Sequence, residues 1–362
     1  MFARKPFAFL IVAGLLCSCA TGTGNRAPAR PDPVIVGHRG ACGYRPEETI
    51  AAYELAIQLG ADFIEPDLVP TRDGVLIARH ENELSLTTDV AQTFPKRRTR
   101  KKIEGREIDG WFSEDFTLAE IKTLRAIERF PFRDHSYDGK FQVITFRELI
   151  ELAQKRGKET GRVIGIYPEI KNPSYFASIG LPLEERLAAE LDRAGYTSHD
   201  SPVIVQSMEP SSLRKLRSVT RVRLMQLTDA NEERPYDFVL KGDPRTYGDL
   251  LAPAGLREIA TYADGIGPWK RQIVPMQART ADADSPSGPL LKPTSLVQDA
   301  HSAGLFVHPY TFRREKRFLA SEYDGDPIRE YLQFYDLGVD GVFSDNADLA
   351  YQAREVWRKK AR

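Results

Sequence analysis

The chain has 362 residues, 41% of them hydrophobic and 28% charged, the composition of a globular protein with enough length for one large domain or two ordinary ones. Lysine plus arginine number 51 and aspartate plus glutamate 51, so the formal charge is zero. That balance excludes a nucleic-acid binder defined by overall charge, and the basic run KRRTRKK at 96–102 has no stacking aromatics or recognition module beside it. The run reads as a solvated loop, or as an attraction for anionic substrate or lipid surface.

Arg4 and Lys5 precede an apolar stretch at 7–16, and small residues follow. This is the pattern of a secretory signal over residues 1–18, too short to span a bilayer. Leu16-Cys17-Ser18-Cys19 resembles a lipoprotein processing site, so Cys19 is expected to carry a lipid and hold the protein in the periplasm or cell envelope. Plain secretion with a free Cys19 is the alternative. With Cys19 acylated and Cys17 removed, Cys42 is the only thiol left, and no intramolecular disulfide can form. Residues 19–33, rich in Thr, Gly, Pro and Ala, read as a flexible tether.

From there apolar runs alternate with helical patterns. Strands are expected at 34–37, 62–68, 163–170, 203–206, 222–227, 265–267, 305–310 and 341–344. Helices are expected at 47–59, 118–124, 146–155, 183–194, 211–217, 257–262, 294–303, 327–337 and 346–359. Strand and helix repeated eight times imply a parallel sheet closed into an α/β (β/α)8 TIM barrel, with reactive residues at the carboxyl ends of the strands. The apolar run at 75–79 follows 62–68 too closely for a parallel crossover, so it reads as the return arm of a hairpin bringing His80 back to the mouth. Residues 34–359 exceed the ~250 of a typical barrel. Most of the excess is an insertion at about 81–142, and two further loops, 229–249 and 272–291, would lie over the mouth. Neither an internal repeat nor a domain linker is evident.

The chemistry concentrates at 34–80. In a strand, residues two apart point to one side, so Glu65 and Asp67 present two carboxylates together. They repel unless something positive lies between them, and a hard divalent cation, Ca²⁺ or Mg²⁺, takes such oxygen ligands. Glu169 at the end of the third strand would complete a three-carboxylate site, an oxygen-only set that argues against structural zinc. His38 and His80 arrive from separate strand ends as a potential base and acid, and Arg39 offers a planar fork for phosphate oxygens. Lys171 shares a face with Glu169. Gln206 and His308 fall at strand ends and would line the mouth, and Trp269 would pack against the organic part of a substrate. Phe312 and Phe343 are apolar candidates for the same wall, with core packing as the favoured role for each. Taken together these parts suggest metal-assisted phosphoryl transfer.

The succession HRG at 38–40, EPD at 65–67, RHENELSLTTDV at 79–90 and YPEIKNP at 167–173 resembles the glycerophosphodiester phosphodiesterase family, with its bacterial periplasmic branch as the nearest likeness. The likeness runs from about 34 to about 348. It implies a TIM barrel, an insertion that caps the active site, and release of sn-glycerol 3-phosphate and an alcohol from a small glycerophosphodiester. It implies a divalent cation on Glu65, Asp67 and Glu169, and His38 and His80 as the acid–base pair. In the family scheme a glycerol hydroxyl attacks its own phosphorus, and water then opens the cyclic phosphate. Many relatives carry His-Asp where this chain has His80-Glu81. His135, His199 and His301 match no family position and read as surface residues. Two other readings remain: a phospholipase-type diesterase acting on intact lipid, and a non-catalytic binding lipoprotein of the envelope.

Overall fold

The computed structural model describes residue 1, residues 31–277 and residues 288–361. The expected signal, Cys19, most of the tether, and 278–287 of the third long loop lie outside the described residues.

Eight parallel strands close a ring among the described residues. The first is Val34–His38. The second runs as Phe63–Glu65 and then Asp67–Pro70, and the third as Gly165–Ile166 and then Glu169–Ile170. Ile204–Ser207, Arg223–Thr228, Gly265–Pro268, Phe306–Val307 and Gly341–Ser344 follow. Parallel ladders join neighbours from the seventh strand back through the first to the eighth. The last seam is closed by hydrogen bonds from Asp340 N to Val307 O (2.9 Å) and from Phe343 N to Pro309 O (3.1 Å).

The expected strands 62–68 and 163–170 are each interrupted. Pro66 and Pro168 lack the N–H that would continue the ladder, so pairing lapses and resumes at Asp67 and Glu169. Those two residues are register partners. Leu76–Ala78 pairs antiparallel with Asp67–Pro70 as the hairpin return.

Helices fill the crossovers, with shifted ends. The first is Ile50–Gln58 rather than 47–59, because the Thr49 side chain accepts from Ala52 N as an N-cap. That boundary leaves Glu47 and Glu48 outside the helix. Phe146–Thr160 begins in a capping box between Thr145 and Glu148. The expected helix 257–262 is Pro253–Ile259, started by proline at its first turn. The 229–249 stretch, read as irregular, holds Tyr236–Lys241 and Tyr247–Leu251, the latter with its own Thr246–Asp249 capping box.

The insertion folds over the strands' carboxyl ends. Its basic run is a short 3-10 turn, Pro95–Arg97, followed by the strand Thr99–Ile103, which pairs with Arg106–Gly110. The two-residue turn between these strands, Glu104 (φ 48°) and Gly105 (φ 82°), has the two positive φ values that such a hairpin requires. The solvated-loop reading of this run is therefore corrected to a hairpin.

Two buried layers support the mouth. Val36, Tyr167, Ile204, Met225, Leu227 and Phe343 fill the barrel interior. A larger apolar cluster packs the strands' outer faces against the helices. At ~1.5–3 kcal/mol for each large side chain buried, these layers hold the strand ends rigid. No helix among the described residues is long and apolar enough to cross a membrane.

Candidate active site

The first strand ends in His38-Arg39-Gly40. Gly40 has φ 83°, and a Cβ there would lie 2.6 Å from the Ala52 backbone, so glycine alone permits the turn. Arg39, just before it, is also in the left-handed region at φ 54°. The turn points Arg39 N at Glu65 Oε2 (2.8 Å). The guanidinium lies 3.0 Å from Asp67 and 3.2 Å from Glu47. The predicted fork thus already has carboxylate partners.

The structure brings Glu65, Asp67 and Glu169 together. One oxygen from each lies within 4.8 Å of the others. All three are buried, and Asp67 Oδ2 has Arg39 Nε 3.0 Å away. Gln206 Nε2 donates to Glu65 (3.1 Å), and Lys171 Nζ donates to Glu169 (2.7 Å) and lies 3.7 Å from Asp67. Glu48 accepts from Asp67 N (2.9 Å) and from the Tyr53 hydroxyl. Burial pushes the Glu65 carboxyl well up, helped by Asp67 and Glu48. Burial likewise pushes Glu169 up to about 7, against the pull of Lys171. Burial also opposes ionisation of Asp67, yet Lys171, His80, Arg39 and His38 together hold it below the ordinary carboxylate range.

His38 Nδ1 sits 2.7 Å from Asp345 Oδ1, which leaves Nε2 for the mouth. Asp345 is itself held by Arg133 (2.6 Å) and Arg313 (3.1 Å), and these override its burial to keep it ionised. His80 Nδ1 sits 2.7 Å from Glu81 Oε1, so glutamate here reaches its histidine. Both imidazoles are lowered from their ordinary value, chiefly by burial and then by Arg39.

Two connected cavities open at this mouth. The inner one, about 250 Å³, is lined by His38, Arg39, Glu65, Gln206 and Phe343 among others. The outer vestibule, about 930 Å³, shares His80, Glu169, Lys171, Met208 and Tyr310 with it. Trp269 lines the vestibule only. His308 is a correction. It does not reach either cavity; its Nδ1 lies 3.1 Å from the Tyr167 hydroxyl, and its ring is 4.6 Å from that of Phe306 inside the barrel. Burial pushes it down to about 4, as suits a neutral core imidazole. The seventh strand offers Tyr310 to the mouth instead, because Tyr310 lies two residues further along. Phe312 takes the core role favoured for it, stacked on Tyr331. His135, His199 and His301 are exposed and pair with Asp138, Asp264 and Asp340.

A model of the glycerophosphoryl diester phosphodiesterase family matches residues 38–349. The chain belongs to this family. Glycerophosphodiester phosphodiesterase GDPD6 of Arabidopsis thaliana is 38% identical, across 96% of this chain and 95% of its own length. The glycerophosphodiester phosphodiesterase of Haemophilus influenzae is 30% identical, across 95% and 96%. The solved structure of an Oleispira antarctica phosphodiesterase in complex with the product sn-glycerol-3-phosphate superposes with a TM-score of 0.56 at 20% identity, covering 90% of this chain and 97% of that one. That likeness, and a TM-score of 0.56 with the Agrobacterium tumefaciens enzyme at 22% identity over 88% and 99%, show the fold.

For a glycerophosphoryl diester phosphodiesterase the three carboxylates are a fitting cation site. The donors are oxygen only, they are buried, and they converge within 4.8 Å of one another. The other convergent set, His38, Cys42 and Asp345, does not fit. Asp345 is taken by His38, Arg133 and Arg313, and burial holds the Cys42 thiol protonated. The sequence reading missed Asp345 although it directly follows the last strand, Gly341–Ser344, at its carboxyl end. Glu48 was absorbed into a helix whose true start the Thr49 cap would have revealed. Nothing local marks Arg133, which reaches Asp345 from the insertion.

Proposed function

We propose that the protein hydrolyses glycerophosphodiesters to sn-glycerol 3-phosphate and an alcohol, in a reaction that depends on a divalent cation and on His38 and His80. The observation that carries this reading is the convergence of three buried carboxylates with two imidazoles, each held by its Nδ1, at one barrel mouth. Glu65, Asp67 and Glu169 would hold Ca²⁺ or Mg²⁺, which supplies positive charge to the phosphate oxygens. Arg39 and Lys171 add to that field.

Proton transfer falls to the free Nε2 atoms. His38 lines only the inner cavity, whereas His80 lines both. We assign the inner cavity to the glycerol phosphate and the vestibule to the departing alcohol. His38 Nε2 then removes the proton of the attacking glycerol hydroxyl, and Asp345 stabilises the resulting imidazolium. His80 Nε2 gives a proton to the leaving oxygen as the phosphorus–oxygen bond breaks. Water opens the cyclic phosphate with the two roles reversed, which returns both imidazoles to their starting states.

Incubation of the metal-stripped protein with glycerophosphocholine tests this. Glycerol 3-phosphate should appear only after Ca²⁺ or Mg²⁺ is added. Its absence from a panel of glycerophosphodiesters with either metal would refute the reading. We also propose attachment to the envelope through a lipid on Cys19, supported by the Leu16–Cys19 pattern. Mass spectrometry of the mature amino terminus checks it, with an unmodified Cys19 as the opposing result.

A further inference from the structure

The vestibule has an unbalanced wall. On the side of the fourth to seventh strands it is lined by Glu209, Asp229 and Glu233 together with Tyr247, Trp269 and Tyr310. Glu104, at the tip of the insertion's hairpin, faces the same space. Among the described residues none of these four acids has an ion-pair partner, in a protein whose surface acids are commonly paired. Most cations of the lining are held by other groups: Lys270 and Arg271 each lie 2.9 Å from Glu330, Arg313 lies 3.1 Å from Asp345 and Lys171 2.7 Å from Glu169, while Arg234 donates to Asp243 O (3.3 Å). Lys102 and Arg106 enter from the hairpin side.

The rings are fixed in the wall. The Tyr310 hydroxyl donates to Thr228 O (2.9 Å) and the Tyr247 hydroxyl to Met208 O (3.4 Å). Burial first, and then Asp237 and Glu104, push Glu209 up to about 8 against its hydrogen bonds from Ser174. In the inner cavity Arg39 and Arg129 are added to the shared Lys171 and Arg313, facing Glu65 and Glu169.

We infer that the vestibule is a head-group subsite selecting diesters whose alcohol carries a positive charge, a quaternary or primary ammonium. This rests on the phosphodiesterase reading above. Such a diester is a zwitterion: its phosphate belongs at the basic inner end, and its ammonium reaches the carboxylates and aromatic rings outside, groups that attract a cation. His80 lines both cavities, so the alcohol it protonates leaves along this wall. Exposed Asp229 and Glu233 supply the charge, and Tyr310 and Trp269 supply the apolar surface.

The test is kcat/KM of the full chain on glycerophosphocholine and glycerophosphoethanolamine against glycerophosphoglycerol and glycerophosphoinositol. The ammonium substrates should be preferred by about tenfold. In Asp229→Asn/Glu233→Gln the ratio of ammonium to neutral kcat/KM should fall several-fold, through KM. Asp229→Lys should lower the ratio further. Raising ionic strength on the wild type should also narrow it. Equal kcat/KM across the panel, or a ratio unmoved by both variants, overturns the inference and leaves the phosphodiesterase reading standing. No turnover of any diester overturns both.

Discussion

The two histidines of the mouth are held in opposite ways. His38 is bound by Asp345, 307 positions away, a buried acid at the end of the last strand that also takes Arg133 from the insertion. His80 is bound by its own neighbour Glu81, and that pair is more open, with side-chain exposures of 23% and 43% against 10% and 1%. The first arm exists only when the ring is closed and the insertion is docked. The second exists wherever the hairpin return forms. One imidazole therefore reports the whole fold and the other a local turn, and this difference suits the roles proposed for them, a deeply buried base facing glycerol and a more exposed acid at the exit.

The strongest attack on the comparison removes each ring. His38→Ala and His80→Ala should each lower kcat by about a hundredfold or more, because both proton transfers are lost in turn. Near-native turnover by either variant, with circular dichroism showing it folded, would strip that residue of its role.

The next contrast separates the two orienting acids. Asp345→Asn should lower kcat by more than tenfold and also cost stability, because Arg133 and Arg313 lose a buried counter-charge worth about 3 kcal/mol. The melting temperature should fall by about 5 °C or more. Glu81→Gln should cost only a few-fold in kcat, with melting unchanged, because the pair is half exposed. Equal melting temperatures for the two variants would erase the distinction. The sign with pH is defined. The Asp345 carboxyl is depressed in the folded protein, so its contribution is present above the unfolded value of about 4 and is lost as pH falls toward the folded one. The gap in melting temperature between wild type and Asp345→Asn should therefore narrow below about pH 4. A gap that widens there contradicts the ionised assignment.

Legibility from sequence follows the same division between local and distant. The barrel was readable because each strand is an apolar run of its own and each helix carries its own period and caps. Glu65 and Asp67 were readable from two-residue spacing, and His80 from a turn too short for a crossover. His308 misled because a strand-end position says nothing of depth: two residues decide between the interior layer with Tyr167 and the mouth with Tyr310. Asp345, Arg133 and Arg313 meet His38 only through closure of the ring and folding of the insertion, which no local pattern encodes. The breaks at Pro66 and Pro168 were present in the sequence. Their effect, restarting pairing at two of the three carboxylates, needed the register to become visible.

The central claim is that Glu65, Asp67 and Glu169 hold one divalent cation. Calorimetric titration of metal-stripped protein with Ca²⁺ and with Mg²⁺ tests it most directly. One saturable site per chain, weakened about tenfold or more in each of Glu65→Gln, Asp67→Asn and Glu169→Gln, is the predicted result. Binding of the same affinity in all three variants, or no binding to the wild type, would contradict it.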